Sequence, residues 1–406
     1  MTRPQVLLLA PRRTTGGITS WASVLLSEAQ DTDFLVEDTS QTYCPPGGRR
    51  TLWHRFLGFG GGLRRTARVL RRVRREAADA VFVTCSPGPG FVVRDVPLFL
   101  LLRAIRMPVI VVLHGGDIAR FFGRSRFRTW FTMLGLRRVD RVIATTRTVE
   151  AYLGPFLPTG ILCYLPNMVP DDYWSAVDPA GRRPLRPGHR TIALVAWQSP
   201  VKGSLSAVSA LARLPDDVEL LLVGEGSTEN EVAIDALIEQ VGVGARVTRC
   251  GRLARPGVDR ILAGCEVSLL PSATEGFPMA VLEAMANAVP VVTSGVGNLP
   301  EIVLGDPGRP AGILIAATAD DPRYPVPPDE LARAIQRLLD DPAEAATLGH
   351  NGRERVRISY LASRVLPRLE GLIADVIAAR ASSGEARPPL SPVGPESGNR
   401  QPGGRG

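Results

Sequence analysis

Short apolar runs recur along this chain, most of them closed by a turn-forming residue and followed by a longer, mixed segment. Residues 6–10, 80–84, 109–113, 142–145 and 161–165 have the length and continuity of strands buried on both faces. So do 192–195, 220–223, 246–251, 267–271 and 289–293. Helices are predicted near 19–29 and 361–379, where apolar residues return at helical spacing. Strands alternating with helices predict an α/β chain.

One strand–helix unit has an unusually specific loop. Residues 267–271 read as a buried strand, Glu275-Gly276-Phe277 as a loop, and a helix is predicted from Pro278. Proline suits a first helical position because its missing N–H would have no partner there. The helix N-terminus then sits at the carboxyl end of the strand, with free N–H groups aimed into the crevice. Glu275 is expected to face that crevice, and Glu283 lies about one turn into the helix. Free N–H groups attract phosphate, whereas two carboxylates repel it unless each meets hydroxyls. A diphosphate flanked by hydroxyl-rich groups satisfies all three, and a sugar nucleotide is such a ligand. The plain alternative is a buried strand–helix unit with two surface glutamates.

Composition narrows the class. With 406 residues the chain is long enough for two domains, each with a core. A hydrophobic content of 45% with 6% aromatics suits a soluble α/β protein rather than a disordered or membrane one. No signal peptide is expected, since the run 6–10 is short and ends in Pro11-Arg12-Arg13. Nor is a spanning helix, since the most apolar region, 96–113, is broken by Arg103, Arg106 and Pro108. Five scattered cysteines without metal spacing predict reduced thiols and a cytoplasmic location. The net charge is +8, and of 48 basic residues only Lys202 is a lysine.

Glu275 and Glu283, with Gly276-Phe277 after the first and Ala284-Met285 after the second, resemble the signature of family 4 of the retaining glycosyltransferases, enzymes of the GT-B fold. The resemblance continues through the glycine-rich turn Ser294-Gly295-Val296-Gly297-Asn298 to Pro300-Glu301, and is thinner in the first half of the chain. It implies two Rossmann-like, doubly wound domains facing a central cleft. The implied division is an acceptor-side domain over 1–175, a linker over 176–190 and a nucleotide-sugar domain over 191–355. A helix at 356–380 packs back on the first domain. Residues 381–406, rich in Gly and Pro, are expected to be disordered.

The implied reaction moves a hexose, with retention and without metal or cofactor, from a nucleoside diphosphate sugar to a glycan or lipid-linked acceptor. Cell-surface polysaccharide or glycolipid assembly is the implied setting. By resemblance, Glu275 contacts sugar hydroxyls and supports positive charge at the anomeric carbon. The backbone of Gly276, Phe277, Pro278 and Met279 holds sugar and phosphate, Glu283 holds the ribose, and Lys202 stabilises the departing diphosphate. Gly16 and Gly17 lie at the interdomain cleft and His114 near the donor sugar. The implied mechanism is same-face displacement, the leaving phosphate taking the acceptor proton. The arginine that the family usually carries near Lys202 is Trp197 here. Losing a charge-assisted contact costs about 1.5–3 kcal/mol, and Arg252 is a candidate to compensate. The same departure keeps open a non-catalytic GT-B protein that binds a sugar nucleotide or a partner. A sugar-nucleotide epimerase or a phosphorylase on the same fold is a third reading, the phosphorylase disfavoured because no lysine remains for its cofactor once Lys202 is assigned.

The residues of the first half add their own readings. Gly16-Gly17, between strand and helix, either admits a ligand close to the backbone or makes a tight turn, and it is not the Gly-x-Gly-x-x-Gly of a nicotinamide site. His114 follows a strand at the ligand-binding edge, or is structural. Asp31-Thr32-Asp33 has the spacing of metal-dependent transferases of another fold, but sits at a turn where aspartates are ordinary, so no metal is expected. Arg64, Arg68, Arg71, Arg72 and Arg75 fall on one helical face. That face is either solvated or meets anionic lipid, a peripheral position at the inner face of the plasma membrane. No base-reading module is visible, so nucleic acid is not an expected partner.

Overall fold

A computed structural model of the chain describes residues 3–12, 16–40, 52–86, 88, 91–115, 121–122, 125–173, 184–306, 308–318 and 321–382, with side chains left out at 52–61 and 63. Strands β1 (Gln5–Ala10), β2 (Asp33–Asp38), β3 (Ala80–Cys85), β4 (Val109–Leu113), β5 (Arg141–Ala144) and β6 (Leu162–Tyr164) form one sheet. Its order is β2-β1-β3-β4-β5-β6, all parallel. Strands β7 (Arg190–Val195), β8 (Val218–Val223), β9 (Val247–Gly251), β10 (Val267–Leu270), β11 (Val291–Ser294) and β12 (Gly312–Ile315) form a second. Its order is β12-β11-β10-β7-β8-β9, again parallel.

Side chains alternate between sheet faces, so unbroken Val/Ile/Leu strands must be covered on both. In the first sheet Leu7, Leu9, Val81 and Val83 pack under Val69 and Val73 of helix Leu52–Arg75, Leu98 of helix Val96–Ala104 and Met133 of helix Arg126–Leu136. Val6, Leu8 and Phe82 pack on the other side against Trp21 and Leu25 of helix Gly17–Glu28, and against Leu366 and Leu369 of helix Ala362–Ser382. The second sheet is layered in the same way, with helix Met279–Ala286 on one face and helix Pro328–Asp340 on the other. Strand β12, like β2, is absent from the predicted runs. Strand β12 is an edge strand of four residues opening on Gly312, which lies against the Val291 carbonyl where no Cβ would fit.

Winding reverses between β1 and β3 in the first sheet and between β7 and β10 in the second. Loops leaving the carboxyl ends of these neighbours diverge and leave a crevice. The chain crosses between sheets at Met168 and Val169, which pack into the first and second cores respectively. It returns beside that point. Val169 N–H donates to Tyr360 O at 2.9 Å, and Ala362 N–H donates to Val169 O at 2.9 Å. The two crossings are thus one short hydrogen-bonded ribbon. Part of the proline-rich stretch predicted as linker, through residue 183, lies outside the described residues, as does the tail from 383. Among the described residues no helix is long and apolar enough to cross a membrane.

Candidate active site

The loops after β7 and β10 are locked together at the switch point. Gly203 adopts φ 80°, and a Cβ there would collide with the Pro271 carbonyl, so only glycine lets the two loops touch. Ala273 N–H donates to Val201 O at 2.8 Å. This contact carries Lys202 to Glu275, Nζ to Oε1 at 2.7 Å. Ser272 Oγ donates to the same oxygen at 2.6 Å, while Ser294 Oγ donates to the Ser272 carbonyl at 2.6 Å. Glu275 is buried, its carboxylate held by a lysine and a serine. On its other side Gly297, at φ 58°, packs against the Glu275 carbonyl where a side chain would collide, and Asn298 N–H donates to Gly276 O at 3.2 Å. The loop is clamped from two directions.

Across the crevice the first domain comes equally close. A Cβ on Gly276 would lie 2.8 Å from Gly115 Cα, so two glycine backbones meet there. Asn167 Nδ2 donates to Phe277 O at 3.0 Å, and the Phe277 ring sits edge-on to Tyr360 at 5.5 Å. Pro278, predicted to open the helix, is extended (φ −73°, ψ 116°) and precedes it, so Met279 is the first helical residue. Met279 Cγ lies 3.8 Å from where a Cβ of Gly17 would be, and Gly17 is the first residue of its own helix. Neither N-terminus has a capping side chain or an acid in its first turn. Two sets of first-turn N–H groups without a partner among the described residues therefore converge, each with the positive end of a helix dipole behind it.

His114 lies in the same region, buried, with its ring edge-on to Trp21 at 5.0 Å. Its Nε2 is buried and has no partner among the described residues. Burial lowers the imidazole pKa to about 3, so the ring is neutral at every physiological pH. Glu283 faces a separate group: Tyr173, Asp259 and Arg255. Burial, and then the neighbouring Asp259 carboxylate, push the Glu283 pKa up to about 7. Asp259 is also raised, again chiefly by burial. Arg255 stacks over the Tyr173 ring at 4.1 Å and pairs with Asp172. Sequence reasoning missed Ser272, Tyr173 and Asp259, for which no local signal exists.

Other predicted positions fall elsewhere. Trp197 is exposed beside β7, next to a buried Gln198 whose Nε2 donates to Ala196 O and Val223 O, both at 3.0 Å. Arg252 is exposed. Asp31 and Asp33 sit at the amino end of β2, the end away from the crevice. The arginine stripe is not a free basic face. Arg68 and Arg72 both pair with Glu37 of β2, at 2.8 and 3.1 Å, and Arg72 also holds Glu76. Arg64, Arg71 and Arg75 remain exposed.

Two open parallel α/β sheets with their switch points facing one crevice define the GT-B class. The sequence pattern described as "Glycosyl transferases group 1" matches residues 190–341, and "Glycosyl transferase 4-like domain" matches 5–167. The chain belongs to this family of group 1 glycosyltransferases. It is 37% identical over 169 residues to an MMP alpha-(1->4)-mannosyltransferase of Mycolicibacterium hassiacum, covering 41% of this chain and 38% of that one. It is 28% identical over 250 residues to an alpha-maltose-1-phosphate synthase of Mycobacterium tuberculosis, covering 57% and 62%. The matched segments thus span about two-fifths to three-fifths of those curated relatives. Among solved structures, a sucrose-phosphate synthase from Thermosynechococcus elongatus superposes with a TM-score of 0.71 at 21% identity, over 93% of this chain and all of that one. HepE of Anabaena, in complex with UDP and glucose, gives 0.68 at 17% identity, over 91% and 99%.

Proposed function

We propose that this protein is a retaining, metal-independent glycosyltransferase that moves a hexose from a nucleoside diphosphate sugar to a glycan or lipid-linked acceptor on the cytoplasmic side of the membrane. The observation carrying this reading is the convergence of two uncapped helix N-termini, at Gly17 and Met279, close to Lys202 and a buried Glu275. A diphosphate placed there receives backbone N–H groups from both domains and the only lysine of the chain. A compact ammonium can leave Glu275 for a phosphate oxygen by rotating its flexible stem. Glu275, released from that pair but still held by Ser272, then presents its carboxylate to the transferred sugar, where positive charge develops at the anomeric carbon. Neutral His114, whose Nε2 has no partner among the described residues, exchanges a hydrogen bond with a sugar hydroxyl. Glu283 accepts from the ribose. The bond between anomeric carbon and diphosphate breaks as the acceptor oxygen bonds on the same face, and its proton passes to the departing phosphate. UDP and glucose in HepE support a donor of this type.

A panel of uridine, guanosine and adenosine diphosphate sugars, incubated without metal, tests the reading. Slow release of one nucleoside diphosphate, lost in Glu275→Ala and in Lys202→Ala, is expected. The second reading, a GT-B protein that binds without turnover, is favoured by Trp197 in the family's arginine position. It takes over if a donor binds and neither hydrolysis nor transfer to lipid extracts is seen.

A further inference from the structure

We infer that the protein docks on an anionic bilayer through helix Arg126–Leu136 of the first domain, not through the arginine stripe of helix Leu52–Arg75. The two most exposed aromatics among the described side chains lie one turn apart on that helix: Phe127, 70% exposed, and Trp130, 60% exposed. Their ring centroids are 5.8 Å apart, and Phe127 also stacks on Phe131 at 6.2 Å, so they form one apolar ridge rather than two stray side chains. Beside Trp130 runs an open groove of about 580 Å³, with Met133 and Phe156 in its wall and Arg126, Arg137 and Arg138 around it. Its described lining holds no acidic residue.

The charge is as uneven in sequence. Between Leu98 and Val139 there are eight arginines and one acid, Asp117. Exposed aromatics that sit at headgroup depth, ringed by arginines, match the two attractions an anionic interface offers: apolar burial and surface potential. A protein partner would meet a surface of one sign and would need a matching acidic face. Among the described side chains, helix Leu52–Arg75 offers neither attraction in full, since Glu37 pairs with Arg68 and Arg72 and the exposed aromatics described lie elsewhere. The docking helix follows β4 and precedes the parallel β5, so its first turn, with Phe127, lies on the side of the strands' carboxyl ends, where the crevice is. A membrane-held acceptor would then approach from the bilayer side. This deepens the membrane part of the proposed function, and the test below is read without any donor, so failure of docking and failure of transfer are separable.

Sedimentation of the full chain with vesicles of phosphatidylcholine alone, or with added phosphatidylglycerol, tests the inference. Binding is expected with phosphatidylglycerol only, weaker at high salt, and at least about tenfold weaker in Phe127→Ser/Trp130→Ser. Arg126→Ser/Arg138→Ser should weaken it too, whereas Arg64→Ser/Arg71→Ser should leave it unchanged. All six positions are exposed, and an unchanged circular dichroism spectrum shows that a variant is folded. Equal binding by the aromatic variant, loss only in Arg64→Ser/Arg71→Ser, or no vesicle binding with a dimer that the aromatic variant dissolves, would each overturn it.

Discussion

The pairing of Lys202 with Glu275 sets the energetics of the site at the level of single residues. A buried carboxylate without its cation pays desolvation with no return, so Lys202→Met should destabilise the ligand-free protein by roughly 3 kcal/mol, the low end for a buried pair because Lys202 is partly solvated. Lys202→Met/Glu275→Gln should recover most of that loss. Urea unfolding of the three variants measures it, and equal stability of the single and double variants would remove the pair from the account. Glu283 makes a prediction in pH. Its folded pKa of about 7 is above its ordinary 4.5, so burial costs nothing while the group is protonated in both states. The stability it permits is full below pH 4.5 and is lost as pH rises toward 7. Glu283→Gln should therefore stabilise the protein above pH 7, by about 3 kcal/mol at most, and not at pH 4. If the carboxylate holds the ribose, donor affinity should also rise as pH passes through 7, and this rise should vanish in the variant.

At the level of elements, the loop Glu275–Pro278 comes close to the first domain because at Gly276 it meets backbone, not side chain. At Gly276 and Gly115 the two domains meet backbone to backbone. Gly276→Ala should leave stability within about 1 kcal/mol, because the strain is relieved by parting the domains, while turnover falls at least about tenfold. Steady-state kinetics beside urea unfolding check this, and a fully active variant would show that closure at Gly115 is not needed. Much of this was legible. Buried strands announce themselves as Val/Ile/Leu runs, and a Glu-Gly-Phe-Pro loop between strand and helix announces a crevice. The partnership of Lys202 with Glu275, 73 residues apart, was not legible, nor was Tyr173 beside Asp259 and Glu283. Helical spacing correctly put five arginines on one face, but it could not say that Glu37 of a neighbouring strand would occupy two of them.

At the scale of the whole molecule, the described residues form two sheets joined by a narrow double crossing at Val169 and Leu361, with a crevice between them. Parts of that crevice come from each side: Gly17 and His114 from the first domain, Lys202, Glu275 and Met279 from the second. A ligand bound by both domains binds the folded, closed form only. A nucleoside diphosphate at a hundred times its Kd should therefore stabilise the protein by about 2.7 kcal/mol and raise its melting temperature.

The most direct measurement is a calorimetric titration of uridine, guanosine and adenosine diphosphates into the wild type and into Lys202→Met. The account predicts that the wild type binds one of the three, and that affinity in the variant falls at least about tenfold, the worth of one charge-assisted contact to phosphate. Binding that is equal in both proteins, or absent for all three nucleotides, would contradict it.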